Sequence, residues 1–332
     1  MNTFEWADAS SVEEAVALTV KGSAYKAGGV DLLDLMKENL FSPSRLVNIR
    51  RIPGLDQIAA DDNGLRIGPL VTLATISEHP EITKSWTALA QACGHAATPQ
   101  IRNMATVGGN LLQRPRCWYF RHEEFPCRKK GGEICFAQEG ENQYHAIFHN
   151  KLCAIVHPSS AAMPLVAMGG TIEISDGKQT REVKAEDFFV PPNIELHKEN
   201  TLQPGEIITG VRVPKLPTTA RSHYIKQGEK ESFDWPIAEV AVVLEMDGQT
   251  CKNASVVLGA AAPIPYRAKY AEDALRGKLI NAETARAAGE ATMAGATPLR
   301  NNQYKLQLFP PVIARAILAC ANGGEQQQGA KS

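Results

Sequence analysis

The chain has 332 residues, of which 44% are hydrophobic and 21% charged, and its formal net charge is −1. This composition is typical of a soluble globular protein that is long enough for two or three domains. The near-neutral charge gives no electrostatic reason to expect binding to nucleic acid or to a membrane surface. No stretch approaches the ~20 apolar residues of a membrane span, and the first residues lack a signal-peptide pattern. The default expectation is therefore a cytoplasmic protein.

Residues 1–55 predict a small α/β unit. The predicted elements are a helix from the capping-box pattern at Ser10 to about Val20, a strand at 24–26, a helix at 31–39 and a strand at 46–49. The strand at 24–26 runs directly into the glycine pair Gly28-Gly29. This order, a strand followed by a tight turn and a helix, is common in α/β proteins.

Residues 56–217 predict a second, mixed unit, and residues 218–321 predict an α+β unit. Three dipeptides predict hairpin turns between apolar runs: Asn63-Gly64, Asp176-Gly177 and Asp247-Gly248. Helices are expected at 86–97, 269–276, 282–294 and 303–320, with Asn281 capping the third of these. The polar tail at 322–332 is predicted to be disordered.

Two loops contain glycine pairs. Gly28-Gly29 precedes a predicted helix, and glycine lets backbone N–H groups approach a bulky anion at a helix N-terminus. The sequence there is neither a P-loop nor a GxGxxG motif, and taken alone this motif favours an ordinary tight strand–helix turn over an anion-binding loop. The second pair, Gly108-Gly109, lies between Thr106 and Asn110, whose polar side chains suit a pyrophosphate or the edge of a flavin.

Four of the seven cysteines lie within 37 residues: Cys117, Cys127, Cys135 and Cys153. The surrounding loop, residues 114–155, is basic and cannot bury much apolar surface, so a metal centre would explain its order. Zinc sites usually contain C-x2–4-C pairs, and none is present. An iron–sulfur cluster, a zinc ion and unrelated thiols all remain open from the spacing, and four nearby histidines keep a mixed zinc site possible: His122, His145, His149 and His157. No pattern for a catalytic residue was found.

The order of these motifs resembles that of the FAD-binding subunits of molybdenum hydroxylases, the family of xanthine dehydrogenase, carbon monoxide dehydrogenase and the aldehyde oxidoreductases. The segments that carry the resemblance are residues 27–32, 101–110, 157–160, 258–267 and 298–305. The cysteine loop, which most family members lack, is most similar to that of the bacterial three-subunit aldehyde oxidoreductases, where it binds a [4Fe–4S] cluster.

The resemblance implies an α+β fold: a two-subdomain FAD-binding domain of the vanillyl-alcohol-oxidase (PCMH) type, followed by a carbon monoxide dehydrogenase flavoprotein-like domain. It also implies FAD and a [4Fe–4S] cluster as cofactors. The implied FAD-binding residues are Lys26, Ala27, Gly28, Gly29, Val30, Asp31, Leu32, Thr106, Gly109, Asn110, Ser160 and Lys226. The implied cluster ligands are Cys117, Cys127, Cys135 and Cys153.

Some positions depart from the family pattern. The usual Gly-Gly-Thr-Asn appears as Gly29-Val30-Asp31, and a carboxylate near a diphosphate is unfavourable unless it accepts N–H bonds or turns away. The usual Ser-Asp after His-Pro appears as Ser159-Ser160. Residues 228–236 also differ from the aldehyde oxidoreductase group and are expected to line the flavin face.

The implied function is electron transfer within a multi-subunit enzyme that oxidises an aldehyde to a carboxylic acid. Electrons would pass from a molybdenum-cofactor-binding large subunit and a [2Fe–2S] small subunit to FAD, and then to an external acceptor. Export to the periplasm on a partner's signal is compatible with this reading. Two alternatives are a subunit resembling that of 4-hydroxybenzoyl-CoA reductase, with reversed electron flow, and a zinc-stabilised scaffold without redox function.

Overall fold

The computed structural model describes residues 1–323, and the predicted disordered tail lies outside the described residues from position 324 onward. These residues form three sheets, one in each predicted unit. The exact limits of the units, at residues 55, 217 and 321, stay predictions.

The first unit is a three-stranded parallel sheet in the order β1-β3-β2. Its elements are β1 (Glu5–Asp8), α1 (Val12–Ala17), β2 (Ser23–Lys26), α2 (Val30–Lys37) and β3 (Arg45–Asn48). The strand β1, which the sequence analysis missed, pairs with β3 at the edge of this sheet. The predicted capping box is shifted by one residue: Ser11 caps α1, and the Glu14 carboxylate accepts a hydrogen bond from the Ser10 N–H.

The second unit contains a five-stranded antiparallel sheet in the order β4-β5-β8-β6-β7. Its strands are β4 (Ile58–Asp61), β5 (Gly64–Ile67), β6 (Thr171–Ser175), β7 (Thr180–Lys184) and β8 (Ile207–Pro214). Its helices are α3 (Leu73–Glu78), α4 (Pro80–Ser85), α5 (Thr87–Gly94), α6 (Pro99–Met104), α7 (Val107–Leu111), α8 (Trp118–Arg121), α9 (Ala162–Ala167) and α10 (Ala185–Phe188), with a short 3-10 helix at Arg128–Lys130. The hairpins predicted at Asn63-Gly64 and Asp176-Gly177 are confirmed.

The third unit is a four-stranded antiparallel sheet in the order β12-β11-β10-β9, covered by helices. Its elements are β9 (Ala220–Gln227), β10 (Ala238–Asp247), β11 (Thr250–Gly259), β12 (Tyr266–Arg267), α11 (Lys269–Leu275), α12 (Ala282–Thr292) and α13 (Lys305–Ala321). The predicted hairpin at Asp247-Gly248 is confirmed. Asn281 caps α12 in a capping box with Thr284, as the sequence predicts.

The second and third units share a hydrophobic core. Tyr224, Ala241 and Val257 of the third sheet pack into the same buried cluster as the helices α3, α5 and α9. This joint packing fixes β9 and β10 beside the loops that precede α7 and α9, which is where the candidate site lies. No helix within residues 1–323 has the length and apolarity needed to cross a membrane.

Candidate functional site: a two-loop cavity beside a cysteine cluster

A cavity of about 670 Å³ lies where the three units meet. The turn between β2 and α2 forms one wall, and the loops around α6 and α7 form another. All of the residues predicted to bind the cofactor line this cavity except Lys26. The Lys26 ammonium lies instead 5.9 Å from the centre of the Trp6 ring, so the geometry gives no support to a contact between Lys26 and FAD.

The turn from β2 into α2 brings backbone N–H groups to the cavity wall. Gly29 precedes α2 with φ at 81°, in the left-handed region that glycine adopts without strain. The first N–H groups of a helix have no acceptor within the helix, and the helix dipole favours an anion there. A side-chain Cβ on Gly28 would lie 1.9 Å from the carbonyl oxygen of Met104. The two loops therefore meet at Gly28, and only glycine fits there.

Helix caps shape the second loop. The Thr106 side chain accepts a hydrogen bond from the Gly109 N–H at 3.2 Å and so begins α7. The Asn110 side-chain oxygen accepts a hydrogen bond from the Ser159 hydroxyl at 2.6 Å. This bond joins the second loop to the Pro158–Ser160 wall of the cavity.

The Asp31 carboxylate, which departs from the family pattern at the first glycine loop, forms ion pairs with arginines of the cysteine loop. Its Oδ1 lies 2.7 Å from Nη1 of Arg116 and 2.7 Å from Nη2 of Arg121. Its Oδ2 accepts a hydrogen bond from the Arg114 backbone N–H at 2.8 Å. Asp31 thus links helix α2 to the start of the cysteine loop, and its charge is compensated within the protein.

Replacing Asp31 with asparagine is expected to destabilise this link. The substitution removes the charge from two ion pairs that are mostly shielded from solvent, and hydrogen bonds to charged groups contribute about 1.5–3 kcal/mol each. We therefore expect the free energy of unfolding, measured with urea, to fall by about 1–3 kcal/mol. Asp34→Asn is the matched control, because Asp34 pairs with the same Arg121 at 2.9 Å but is half exposed. Equal losses in the two variants would contradict a special role for Asp31.

Lys226 and Ser160 approach the cavity from the third and second units. The Lys226 ammonium donates a hydrogen bond to the His95 carbonyl at 3.1 Å, and burial lowers its pKa. The Ser160 hydroxyl donates to Oε1 of Glu239 at 2.8 Å. Lys226 is the predicted cation at this wall, whereas Glu239 was not foreseen from the sequence.

The four clustered cysteines surround a second, small cavity. Cys117, Cys127, Cys135 and Cys153 all line it, together with His145 and Phe136. The fold therefore brings together four thiols that are up to 36 residues apart in the chain. The other three cysteines lie elsewhere: Cys93 in α5, Cys251 in β11 and Cys320 in α13.

The thiols are close enough to influence one another. A hydrogen bond from the Cys153 thiol lowers the pKa of Cys135 to about 6, and burial raises the pKa of Cys117 to about 12. The enclosed volume is about 10 Å³, roughly that of one water molecule. Within residues 1–323 no three His, Cys, Asp or Glu side chains are grouped to bind a single metal ion. Four thiols are the donor set that holds iron–sulfur clusters in proteins, but this cavity is smaller than such a cluster.

His145 joins the cysteine cavity to the third unit. Its Nε2 lies 3.2 Å from Sγ of Cys117, and burial lowers its pKa to about 4. The His145 carbonyl accepts a hydrogen bond from the buried ammonium of Lys305, at the start of α13, at 3.1 Å. Of the four histidines that the sequence analysis considered as zinc ligands, only His145 lines the cysteine cavity. It is therefore the one histidine that could join the thiols in a mixed zinc site.

His157, in contrast, lies outside the cysteine cavity and is buried, so we expect the protein to lose stability in acid. Burial lowers its pKa to about 3, and its ring packs against Phe189 at 4.4 Å between centres. The unfolded chain binds the proton from about pH 6.5 downward and the folded chain does not. His157 therefore does not lower the free energy of unfolding above about pH 6.5. As the pH decreases from there towards 3, it lowers this free energy by up to about 1.4 kcal/mol per pH unit.

Urea unfolding at several pH values checks this prediction. We expect His157→Leu to make the decline in stability with acid less steep, while His122→Leu, at an exposed position, leaves it unchanged. The same pH dependence in wild type and His157→Leu would exclude His157 as the cause.

Comparison with known proteins assigns this architecture. Residues 2–216 match the family model described as the FAD binding domain in molybdopterin dehydrogenase, and residues 223–320 match the CO dehydrogenase flavoprotein C-terminal domain. The chain is 33% identical over 323 residues to the aldehyde oxidoreductase FAD-binding subunit PaoB of Escherichia coli, covering 96% of this chain and 98% of that one. It is 29% identical to the nicotine 6-hydroxylase medium subunit of Paenarthrobacter nicotinovorans, covering 94% and 95%.

A solved structure is similar over nearly the whole chain. The carbon monoxide dehydrogenase of Hydrogenophaga pseudoflava contains a chain that is 26% identical, with a TM-score of 0.75, covering 96% of this chain and 97% of that one. The chain therefore belongs to the FAD-binding medium subunits of the molybdopterin-dependent hydroxylases. It is an oxidoreductase subunit of the xanthine dehydrogenase and aldehyde oxidoreductase family, and the predicted α+β fold is confirmed.

Proposed function

We propose that FAD occupies the cavity between the two glycine loops. The observation that carries this proposal is the cavity itself, which is lined by eleven of the twelve residues predicted to bind FAD. The match of this part of the chain to an FAD-binding domain family supports the same assignment. The diphosphate would lie on the backbone of residues 27–32, at the positive end of α2. Thr106, Gly109, Asn110, Ser160 and Lys226 would hold the cofactor from the other walls.

We infer that the subunit transfers electrons within a larger enzyme. FAD, when bound, exchanges one or two electrons, so it can link single-electron carriers to a two-electron acceptor. The residues of this chain bind and orient it and exclude water: Gly28 permits the close approach of the loops, and Leu32, Leu70 and Leu73 supply an apolar wall. The described residues contain no pattern for substrate chemistry, which would belong to another subunit.

We further propose that the cysteine loop binds a [4Fe–4S] cluster through Cys117, Cys127, Cys135 and Cys153. Four thiols around one cavity are the donor set of such clusters. Asp31 connects that loop to the FAD wall through Arg116 and Arg121. These ion pairs hold the cysteine loop against the FAD-binding wall, which suits a relay of electrons between two cofactors.

The partners follow from the relatives. The similarity to an aldehyde oxidoreductase FAD-binding subunit supports assembly with a molybdenum-cofactor-binding large subunit and a [2Fe–2S] small subunit, and aldehyde oxidation as the overall reaction. In this arrangement electrons flow from the partners to FAD and then to an external acceptor.

We also propose domain limits at residues 55 and 217, with the third domain ending at 321.

Analysis of the purified complex for iron, sulfide, zinc and flavin, with its visible spectrum, tests the proposal. About four irons and four sulfides beyond those of the partner's clusters, with one FAD, would support both cofactors. FAD without that iron would restrict the proposal to a flavoprotein. Zinc without flavin would favour the scaffold alternative. If the cluster is present, a reduction potential near that of ferredoxin would favour the reversed electron flow of a 4-hydroxybenzoyl-CoA reductase.

A further inference from the structure

A buried carboxylate that the proposed function does not use lies behind the wall of the FAD cavity. Glu239, on β10, is 1% exposed. Its Oε1 accepts hydrogen bonds from the Ser160 hydroxyl, at 2.8 Å, and from the Tyr224 hydroxyl. Among residues 1–323 no lysine or arginine forms an ion pair with it. A buried carboxylate without a cationic partner is costly, so a role for Glu239 beyond packing is worth seeking.

Glu239 is connected to the cavity by one side chain. Ser160 lines the cavity, and its hydroxyl bonds directly to the carboxylate. Lys226, which also lines the cavity, is the register partner of Glu239 across β9 and β10. A change of charge in the cavity would therefore act on Glu239 through protein, where charges interact more strongly than in water.

The surroundings of Glu239 make its charge responsive. From β9, the titratable groups that face it are Tyr224 and Lys226, whose ammonium is committed to the His95 carbonyl. The helix α9 and the strand β11 present Met163 and Gly259, which carry no charge. Burial raises the pKa of Glu239 above its usual range. A Cβ on Gly259 would lie 2.4 Å from Oε2 of Glu239, so glycine at this position leaves room for the carboxylate.

We propose that Glu239 is a redox-linked proton acceptor: it takes up one proton when electrons enter the cavity, and it releases that proton when they leave. This inference rests on the proposed binding of FAD. The electrons come from the partner subunits and the proton comes from solvent. The Ser160 hydroxyl passes its proton to the Glu239 carboxylate and takes a replacement from solvent, so one O–H bond forms on Glu239 and one O–H bond of the solvent donor breaks. This proton is additional to any proton that the flavin itself takes up. Negative charge gained in the cavity favours the neutral carboxyl, because like charges repel strongly in a buried site.

Reduced-minus-oxidised infrared difference spectra of the FAD-loaded complex test this proposal directly. We expect the C=O stretch of a protonated carboxylic acid to appear on reduction of the flavin and to be absent in Glu239→Gln. The matched control is Glu245→Gln on the same strand, where Glu245 pairs with Lys252 at 2.8 Å at the exposed end of β10; its spectrum should match wild type. Glu239→Asp, which keeps the carboxyl, should shift the band and serves if the glutamine variant does not fold.

The flavin potential gives an independent readout. One additional proton per two electrons steepens its pH dependence by about 30 mV per pH unit, and we expect Glu239→Gln to lose this contribution within the range where Glu239 titrates. Flavin-loaded wild type without the acid band, or with the same slope as Glu239→Gln, would overturn the inference and leave the proposed function standing. Absence of FAD from the wild-type complex, seen before any spectrum is taken, would overturn both.

Discussion

Replacing Gly28 with valine is expected to yield a protein that binds FAD much more weakly. A Cβ at this position would lie 1.9 Å from the Met104 carbonyl oxygen and 3.0 Å from its carbonyl carbon, and both are backbone atoms that cannot rotate away. The loop that carries the diphosphate wall must then separate from the loop that precedes α7. Overpacking of this kind costs about 1–3 kcal/mol, and each 1.4 kcal/mol or so is a tenfold loss of affinity. We expect the dissociation constant for FAD to rise by about tenfold or more.

The measurement is flavin content after gel filtration, followed by titration of the apoprotein with FAD. Gly94→Ala is the control, because Gly94 lies in α5 and a Cβ there would be 3.4 Å from its nearest neighbour, an ordinary contact. Circular dichroism separates loss of FAD from loss of the fold. An unchanged dissociation constant for FAD in folded Gly28→Val would remove the β2–α2 turn from the proposed site.

Replacing Cys127 with serine is expected to remove the iron that the cysteine loop holds, while FAD stays bound. Cys127 lines the cysteine cavity and is buried beside Leu35 and Phe120, and serine is a poor substitute for a thiolate ligand of iron. We expect about four irons per chain to fall below one, with loss of the broad visible absorbance of the cluster. FAD should remain because the cavity that we assign to it contains none of the four cysteines.

Cys251→Ser is the matched control, since Cys251 is buried in β11, far in the chain from the cysteine loop. Its iron content should equal that of the wild type. An unchanged iron content in Cys127→Ser would exclude Cys127 as a ligand. Zinc in the wild type that is lost in Cys127→Ser would identify the loop as a zinc site instead.

Local sequence patterns were sufficient for many elements of the fold. The three hairpins follow from turn residues whose backbone preferences act within a few positions, and Asn281 caps α12 for the same reason. The glycine loops were also recognisable, since the motif order resembles a known family. The shifted cap at Ser11 and the missed strand β1 show the limit of this approach: neighbouring serines offer two alternative caps, and a short edge strand has little pattern of its own.

The amino-acid sequence by itself determined the family, the two glycine loops and the presence of four clustered cysteines. Only the tertiary structure decided which charged groups meet. Asp31 forms ion pairs with Arg116 and Arg121, which follow it by 85 and 90 positions in the chain. The Lys26 side chain lies outside the cavity. Glu239 accepts a hydrogen bond from Ser160, which precedes it by 79 positions. The physical reason is the distance along the chain over which each effect acts. Turn and helix preferences act between neighbouring residues, whereas the pairing of buried charges depends on which distant segments the common core brings into contact.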